Sequence, residues 1–309
     1  MIEAQPDLDC WYLSGATAVG KTQVALALAR RINAEIISLD SMAIYRGMDI
    51  GTAKPTPEEL TQVPHHLIDV VDPCEDFSVE RYLTLAHAAI SEIRSRGREV
   101  LFVGGTPLYL KAMLRGLSSG PPADWQLRDD LAAEVAAVGS ESLHLRLEQL
   151  DPLAASQIHP RDARRLIRAI EVFRSTGQPI SHQQLQFEQG TQAEDCRVFA
   201  LRRPREEQHA RINQRVEQMF ERGLVGEVEQ LLAEYTALGR TASQAVGYRE
   251  VIEYLAGGDY AAMITQIKTR TRRFAKRQGT WFRSLSECQF VDLTGESDAE
   301  VVAERIAVS

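Results

Sequence analysis

The eight residues Gly15, Ala16, Thr17, Ala18, Val19, Gly20, Lys21 and Thr22 constrain this chain more than any other stretch. They spell a complete G-x-x-x-x-G-K-T, directly after the apolar run Trp11 to Leu13 and directly before a segment in which Val24, Leu28 and Ile32 recur at fours. A strand that passes through such a glycine-rich turn into a helix is a phosphate loop. Its glycines let the backbone curl until successive N–H groups face one anion, and the helix N-terminus adds its positive end. Lys21 supplies a point charge and Thr22 a hydroxyl for Mg²⁺. The loop predicts a di- or triphosphate site built from all eight residues, and it leaves open whether a nucleotide carries that phosphate.

The rest of the chain repeats the theme. Short β-branched or aromatic runs at 11–13, 35–39, 67–71, 100–103, 197–201 and 289–293 are each followed by a turn and then a helical pattern, which predicts an α/β fold with a parallel sheet flanked by helices. Ser78 opens one helix and Gly97 stops it; beyond Arg205, helical patterns cover 206–222, 224–238, 243–255 and 260–282. The alternation breaks between 117 and 194, where the turn-rich Ser118-Ser119-Gly120-Pro121-Pro122 leads into helical patterns alone. We therefore expect a P-loop core from 1–117 plus 196–309, interrupted by a helical insertion at 118–195.

Hydrophobic residues at 44% and charged residues at 25% place the 309-residue chain among globular proteins. No run approaches eighteen apolar residues, and the acids and proline within Met1 to Asp9 are unlike a signal peptide, so no membrane span and a cytoplasmic location are expected. The four cysteines, Cys10, Cys74, Cys196 and Cys288, are too widely spaced for a zinc module and read as small buried hydrophobes. A net charge of −8 argues against general affinity for nucleic acid, but leaves local basic patches free to form.

Three further features carry chemistry. Asp40 ends the second predicted strand, beside the phosphate loop in a sheet of this kind, where a carboxylate can take a proton or hold a metal. Gly104-Gly105-Thr106 follows the strand at 100–103 at the place where many ATPases carry a metal-binding Asp, with Asp72 as another source of such a carboxylate. Arg211 and Arg215, four apart, can carry two cations toward the phosphate site or pair with Glu207, Glu217 or Glu221.

Two basic runs stand against the acidic background. Arg161, Arg164, Arg165 and Arg168 fall on one face of a predicted helix, and Lys268 to Arg283 holds seven cations and no acid, interleaved with Phe274, Trp281 and Phe282. Each alone fits a solvated face. Together, with aromatics available for stacking, they point to a polyanion, and to RNA over duplex DNA because no helix-turn-helix or zinc-finger pattern is present.

Read in order, G-A-T-A-V-G-K-T, S-L-D-S-M-A-I-Y-R-G-M-D-I-G-T-A-K-P, V-G-G-T-P-L-Y, H-P-R-D-A-R-R-L-I-R-A-I-E-V, V-G-Y-R and T-R-R-F-A-K-R-Q-G-T-W-F-R closely resemble the bacterial tRNA dimethylallyltransferases, from about Tyr12 to Arg283. The resemblance implies transfer of a dimethylallyl group from dimethylallyl diphosphate to N6 of adenine at tRNA position 37, with release of pyrophosphate and with Mg²⁺ held by Thr22. It implies that the phosphate loop binds the prenyl diphosphate, that Asp40 is the base, that Thr106 contacts the reacting centre and that Arg215 steadies the leaving group. The tRNA contacts it implies are Asp40, Ser41, Met42, Ala43, Arg128, Arg164, Arg165, Leu166, Ile167, Arg168, Gly247, Tyr248, Arg249, Lys276, Arg277, Gln278, Trp281 and Arg283. Tyr248 and Arg249 belong to a stretch that runs on to Ile252, and Met42 stands where many relatives have Gln or Ala. The implied partners are tRNA and the prenyl diphosphate, and a monomer is expected.

Three other readings share parts of this pattern. A small-molecule P-loop kinase gives the basic C-terminal helix no role, an adenylate isopentenyltransferase acting on free AMP needs neither basic run, and a noncatalytic RNA-binding module needs neither Asp40 nor Mg²⁺.

Overall fold

The computed structural model describes residues 7–117, 120–182, 196–295 and 297–309. Ser118 and Ser119, which open the expected insertion, and 183–195 at its end lie outside them. By internal contacts the described residues fall into two compact units, 7–114 with 196–309 and 115–117 with 120–182.

The larger unit is built on a six-stranded sheet, all parallel, as the alternating pattern predicts. Its strands are β1 (Trp11–Gly15), β2 (Ala34–Ser38), β3 (His65–His66), β4 (Glu99–Gly104), β5 (Val198–Arg202) and β6 (Gln289–Asp292), in the order β3-β2-β4-β1-β5-β6. Because β4 pairs with both β1 and β2, the turn after β4 emerges between the turns after β1 and β2. That order brings the phosphate loop, Gly104-Gly105 and Asp40 to one end of the sheet, outside the carboxyl ends where open α/β sheets bind ligands.

One face of the sheet buries Trp11, Leu13, Ile36, Leu101, Phe199 and Val291 under α1 (Lys21–Arg31) and the C-terminal helix Ala299–Ala307. Strand alternation sends Tyr12 and Phe102 to the opposite face, where their rings stack 4.9 Å apart. There α3 (Val79–Ser95), which follows the short α2 (Pro57–Gln62), starts from Ser78, whose hydroxyl accepts the Arg81 N–H, and it ends before Gly97 at φ 68.

The segment 67–71 is not the strand its composition suggests. Leu67 and Asp69 both take positive φ, 59 and 56, so the chain turns there, and the edge strand shrinks to His65–His66 with one bridge from Val71 to Tyr45. The pattern at 243–255 is likewise split, because Gly247 at φ 100 separates a short 3-10 turn at Ala242–Gln244 from Tyr248–Leu255.

The C-terminal helices Arg205–Glu221, Leu224–Glu234, Tyr248–Leu255 and Tyr260–Arg283 pack Val216, Leu224, Val228, Tyr248, Met263 and Ile267 against Ile44, Tyr45, Met48 and Val71 of the loop behind Asp40. We number the helices after α3 in chain order: α4 (Pro107–Arg115), α5 (Trp125–Val138), α6 (Glu141–Leu150), α7 (Pro152–Gln157) and α8 (Ala163–Thr176) precede these four, which are α9 to α12. Leu131, Leu143, Leu147, Leu166 and Ile170 form the core of the smaller unit, within α5 to α8.

Candidate active site

A cavity of about 410 Å³ opens at the carboxyl end of the sheet, and Lys21, Thr22, Asp40, Thr106 and Arg215 all line it. The phosphate loop beneath it is held from outside. Gln208 Nε2 donates to the Thr17 carbonyl at 3.1 Å, Arg211 Nε to that of Ala18 at 3.0 Å and Arg203 Nε to that of Val19 at 2.8 Å. With three consecutive carbonyls taken by side chains from one direction, the loop is fixed with its backbone polarity sorted. The amides of the first turn of α1 have no partner within their own helix, and Gly20, at φ 109, adds no side-chain cap, so these N–H groups are what an anion meets. Ala16 and Ala18 pack on Ile212 of α9 and Ala275 of α12, which accounts for small residues at those loop positions.

Lys21 Nζ donates to the carbonyls of Gly15 and Ala16 at 2.8 and 3.0 Å. Desolvation first, and the nearby Arg215 guanidinium second, push this ammonium down to about 8, with Asp40 acting against them. Arg215 is itself held below the usual guanidinium value, mainly by burial and then by Arg211. Two cations that repel each other across one cavity are a site short of negative charge.

An anionic ligand favours the charged lysine and raises its pKa again. Affinity for sulfate, an anion whose own charge does not change in this range, is therefore expected to fall as pH rises through 8, by up to about tenfold per pH unit. Calorimetry near pH 8.5 in buffers of different ionisation heat is expected to show proton uptake on binding; binding without proton exchange would contradict this role for Lys21.

Asp40 sits one turn past β2, its carboxylate accepting the Met42 N–H at 2.8 Å. Thr106 is tied to the same turn: its N–H donates to the Leu39 carbonyl at 3.1 Å, and its Oγ1 accepts the Ser41 N–H at 3.0 Å. This approach requires Gly104, since a Cβ there would lie 2.1 Å from the Leu39 carbonyl oxygen. The loop behind Asp40 is pinned by buried Lys54, whose ammonium donates to the Tyr45 carbonyl at 2.6 Å and pairs with Asp49 and Asp69. Glu227 holds the other side, accepting the N–H groups of Asp49, Ile50 and Gly51. Lys54 lies within the S-L-D-S-M-A-I-Y-R-G-M-D-I-G-T-A-K-P motif without a role of its own there, and Glu227 carries no sequence signal because its targets are backbone amides that only the fold brings near.

The remaining sequence candidates divide. Ser41, Met42, Ala43, Tyr248, Arg277 and Gln278 line the cavity. Tyr248 is buried with its hydroxyl donating to Glu227, and the Gly247 N–H donates to Glu250, so neither lies on an outer surface. Arg249 pairs with Glu253. Lys276 and Arg283 are exposed and Trp281 is half-buried.

In the smaller unit, Arg128 and Arg168 converge on the fully buried Glu171 at 2.8 and 2.5 Å, and although burial works against its charge these two guanidiniums hold the Glu171 carboxyl below its ordinary value. They form a structural ion cluster. Leu166 is buried in the core, which corrects its reading as an RNA contact; Ile167 is half-buried, Arg164 is exposed and Arg165 pairs with Asp162. Arg161 precedes α8, whose N-cap is Asp162, so the four-arginine face does not form.

Within the second run, Lys268, Arg270 and Arg272 are taken by Glu217, Glu250 and Asn213 on other helices, leaving Arg273, Lys276, Arg277 and Arg283 exposed. Asp72 pairs with Arg46 away from the cavity lining, and Cys74 is exposed while the other three cysteines are buried. Among the described residues no helix is long and apolar enough to cross a membrane.

The chain matches the family model described as IPP transferase over residues 43–285. It is 50% identical over 288 residues to a tRNA dimethylallyltransferase of Rhodopirellula baltica, covering 90% of this chain and 86% of that protein. Among solved structures, the full-length tRNA isopentenylpyrophosphate transferase of Bacillus halodurans superposes with a TM-score of 0.70 at 40% identity, covering 98% of this chain and 95% of that one. A eukaryotic dimethylallyltransferase acting on tRNA gives a TM-score of 0.78 at 27% identity, over 97% of this chain and 77% of that one. On the extent of the family match and the identity to these relatives, the chain belongs to the IPP transferase family.

Proposed function

We propose that the chain transfers a dimethylallyl group from dimethylallyl diphosphate to N6 of adenine at position 37 of tRNA, releasing pyrophosphate. The observation that carries this reading is the meeting of Lys21, Arg215, Asp40 and Thr106 on one cavity, which brings anion-binding groups and a carboxylate to the same space. In the reaction, N6 attacks the allylic carbon, a C–N bond forms, and the C–O bond to the diphosphate breaks with its electron pair leaving on pyrophosphate. Lys21, Arg215 and the loop amides stabilise the charge that develops on the leaving group. N6 is a poor nucleophile because its lone pair is delocalised into the ring. The Asp40 carboxylate takes the N6 proton as the new bond forms, and Thr106, bonded to the Asp40 turn, orients that side.

The hard oxygen donors that line the cavity fit Mg²⁺, which takes few protein ligands and completes its shell with phosphate and water. Thr22 would hold it, and once bound it supplies further neutralisation of the diphosphate.

The exposed cations of α12 carry the RNA reading. Replacing Arg273 and Lys276 together by Gln is expected to reduce the slope of log tRNA affinity against log salt by about one to two units. Arg277 is left in place because it also lines the cavity. An unchanged slope would make this a solvated face.

The target base is tested with anticodon stem-loops that differ only at position 37. Labelled dimethylallyl diphosphate is expected to mark the adenine stem-loop and not the guanine one, which carries an oxygen at C6 in place of the amine. Equal labelling of both would overturn the assignment of N6.

A further inference from the structure

Gln278 occupies an unusual place for a polar residue in a basic stretch. It is 4% exposed, on the inward face of α12, and its single amide group joins two separate segments of the site. Its Oε1 accepts the Thr17 N–H of the phosphate loop at 2.9 Å, and its Nε2 donates to the Gly105 carbonyl at 2.6 Å. The fit is close: a Cβ on Gly105 would lie 2.6 Å from that Nε2 and 3.6 Å from Lys21 Nζ. Thr106, next in the chain, is bonded to the Asp40 turn.

From this geometry we infer that Gln278 is a positioning residue: its amide fixes the separation between the phosphate loop and the Gly105–Thr106 turn, and so between the anion cradle and the Asp40 side of the cavity. The consequence for transfer rests on the function proposed above; the consequence for anion binding does not. A primary amide is suited to this place, because it accepts with one atom and donates with the other and remains uncharged beside Lys21. Loss of the Gly105 bond leaves a buried carbonyl unpaired and loss of the Thr17 bond releases a half-buried N–H of the loop, and each loosens the turn it belongs to.

Gln278→Met keeps the length and removes both bonds, while Gln278→Glu keeps the acceptor for Thr17 and removes the donor for Gly105. Deuterium uptake by the phosphate-loop peptide is expected to rise in Gln278→Met and to stay near wild type in Gln278→Glu. Inorganic pyrophosphate should bind Gln278→Met about tenfold more weakly. In prenyl transfer, Gln278→Met is expected to lower kcat and raise the donor KM with tRNA affinity unchanged. Combining it with Thr106→Val should cost less than the product of the two single effects, because both act through one turn.

Wild-type pyrophosphate affinity in Gln278→Met, multiplicative effects in the double variant, or equal loop exchange in the Met and Glu variants would each overturn the inference. If Gln278→Met does not fold, the Glu variant decides: a phosphate loop that exchanges faster in it than in wild type contradicts the role given to Oε1. A wild-type protein that binds pyrophosphate but transfers no prenyl group would remove the proposed function and leave the anchoring of the loop to be judged by exchange and pyrophosphate binding.

Discussion

Asp40→Asn is expected to lower single-turnover prenyl transfer by about 10²- to 10⁴-fold, the range a lost general base commonly costs. Tight control is available at this position, because the Asn carbonyl can still accept the Met42 N–H that Asp40 accepts now, and the Thr106–Ser41 bonds do not involve the carboxylate. The turn should therefore keep its shape while losing its proton acceptor. Affinity for tRNA, measured by filter binding, should stay within about twofold, since an interaction made only in the transition state does not contribute to binding. A variant that turns over near the wild-type rate would remove Asp40 from the mechanism. A variant that fails to bind tRNA would reassign Asp40 to recognition.

Lys21→Ala is expected to have an effect at least as large, with transfer falling by about 10³-fold or more, as for the loss of a charged group aimed at developing negative charge. Stability moves differently from activity here. The folded-state pKa of Lys21 is lowered to about 8, so between that value and its unfolded value near 10.5 the unfolded chain binds more protons, and stability rises with pH across that window. Below pH 8 the lysine is charged in both states and its unfavourable desolvation is fully present. Removing it at pH 7 relieves that cost, set against the two bonds to Gly15 and Ala16, so the melting temperature of Lys21→Ala should be unchanged or higher while transfer is lost. A variant that loses activity together with several degrees of melting temperature would show that Lys21 serves the fold.

Much of this site was legible because its parts are local. The phosphate loop is a contiguous motif with a strand before it and a helix after it, and Asp40, Thr106 and Arg215 each sit at the end of a strand or on the helix that follows one. What escaped the sequence reading depends on geometry that no short window encodes. The run 67–71 looks like a strand by composition, but two positive φ values turn it away. The seven cations of α12 looked like one surface, yet three of them meet partners on other elements.

Gln278 falls within the stretch that the resemblance assigns to RNA contact. Its spacing from Met263, Ile267, Ala275 and Phe282 puts it on the buried stripe of the helix, a signal that was present in the sequence and outweighed by the charges beside it. Arg128 is an RNA contact only by the family resemblance, and Arg168 by that and by the basic run it belongs to; neither shows in sequence that it pairs inward. Their partner, Glu171, is a single acid within an arginine-rich helix, and only burial reveals that it gathers both.

The most direct test of the account is incubation of the purified protein with unmodified tRNA, Mg²⁺ and dimethylallyl diphosphate, followed by nuclease digestion and mass spectrometry, with ATP replacing the prenyl donor in a parallel tube. One adenosine per tRNA is expected to carry an added C5H8 on N6, located beside the anticodon, with one pyrophosphate released per prenyl group and no turnover of ATP. ATP-dependent phosphoryl transfer with no prenylated adenosine in the digest would contradict it and make the chain a kinase.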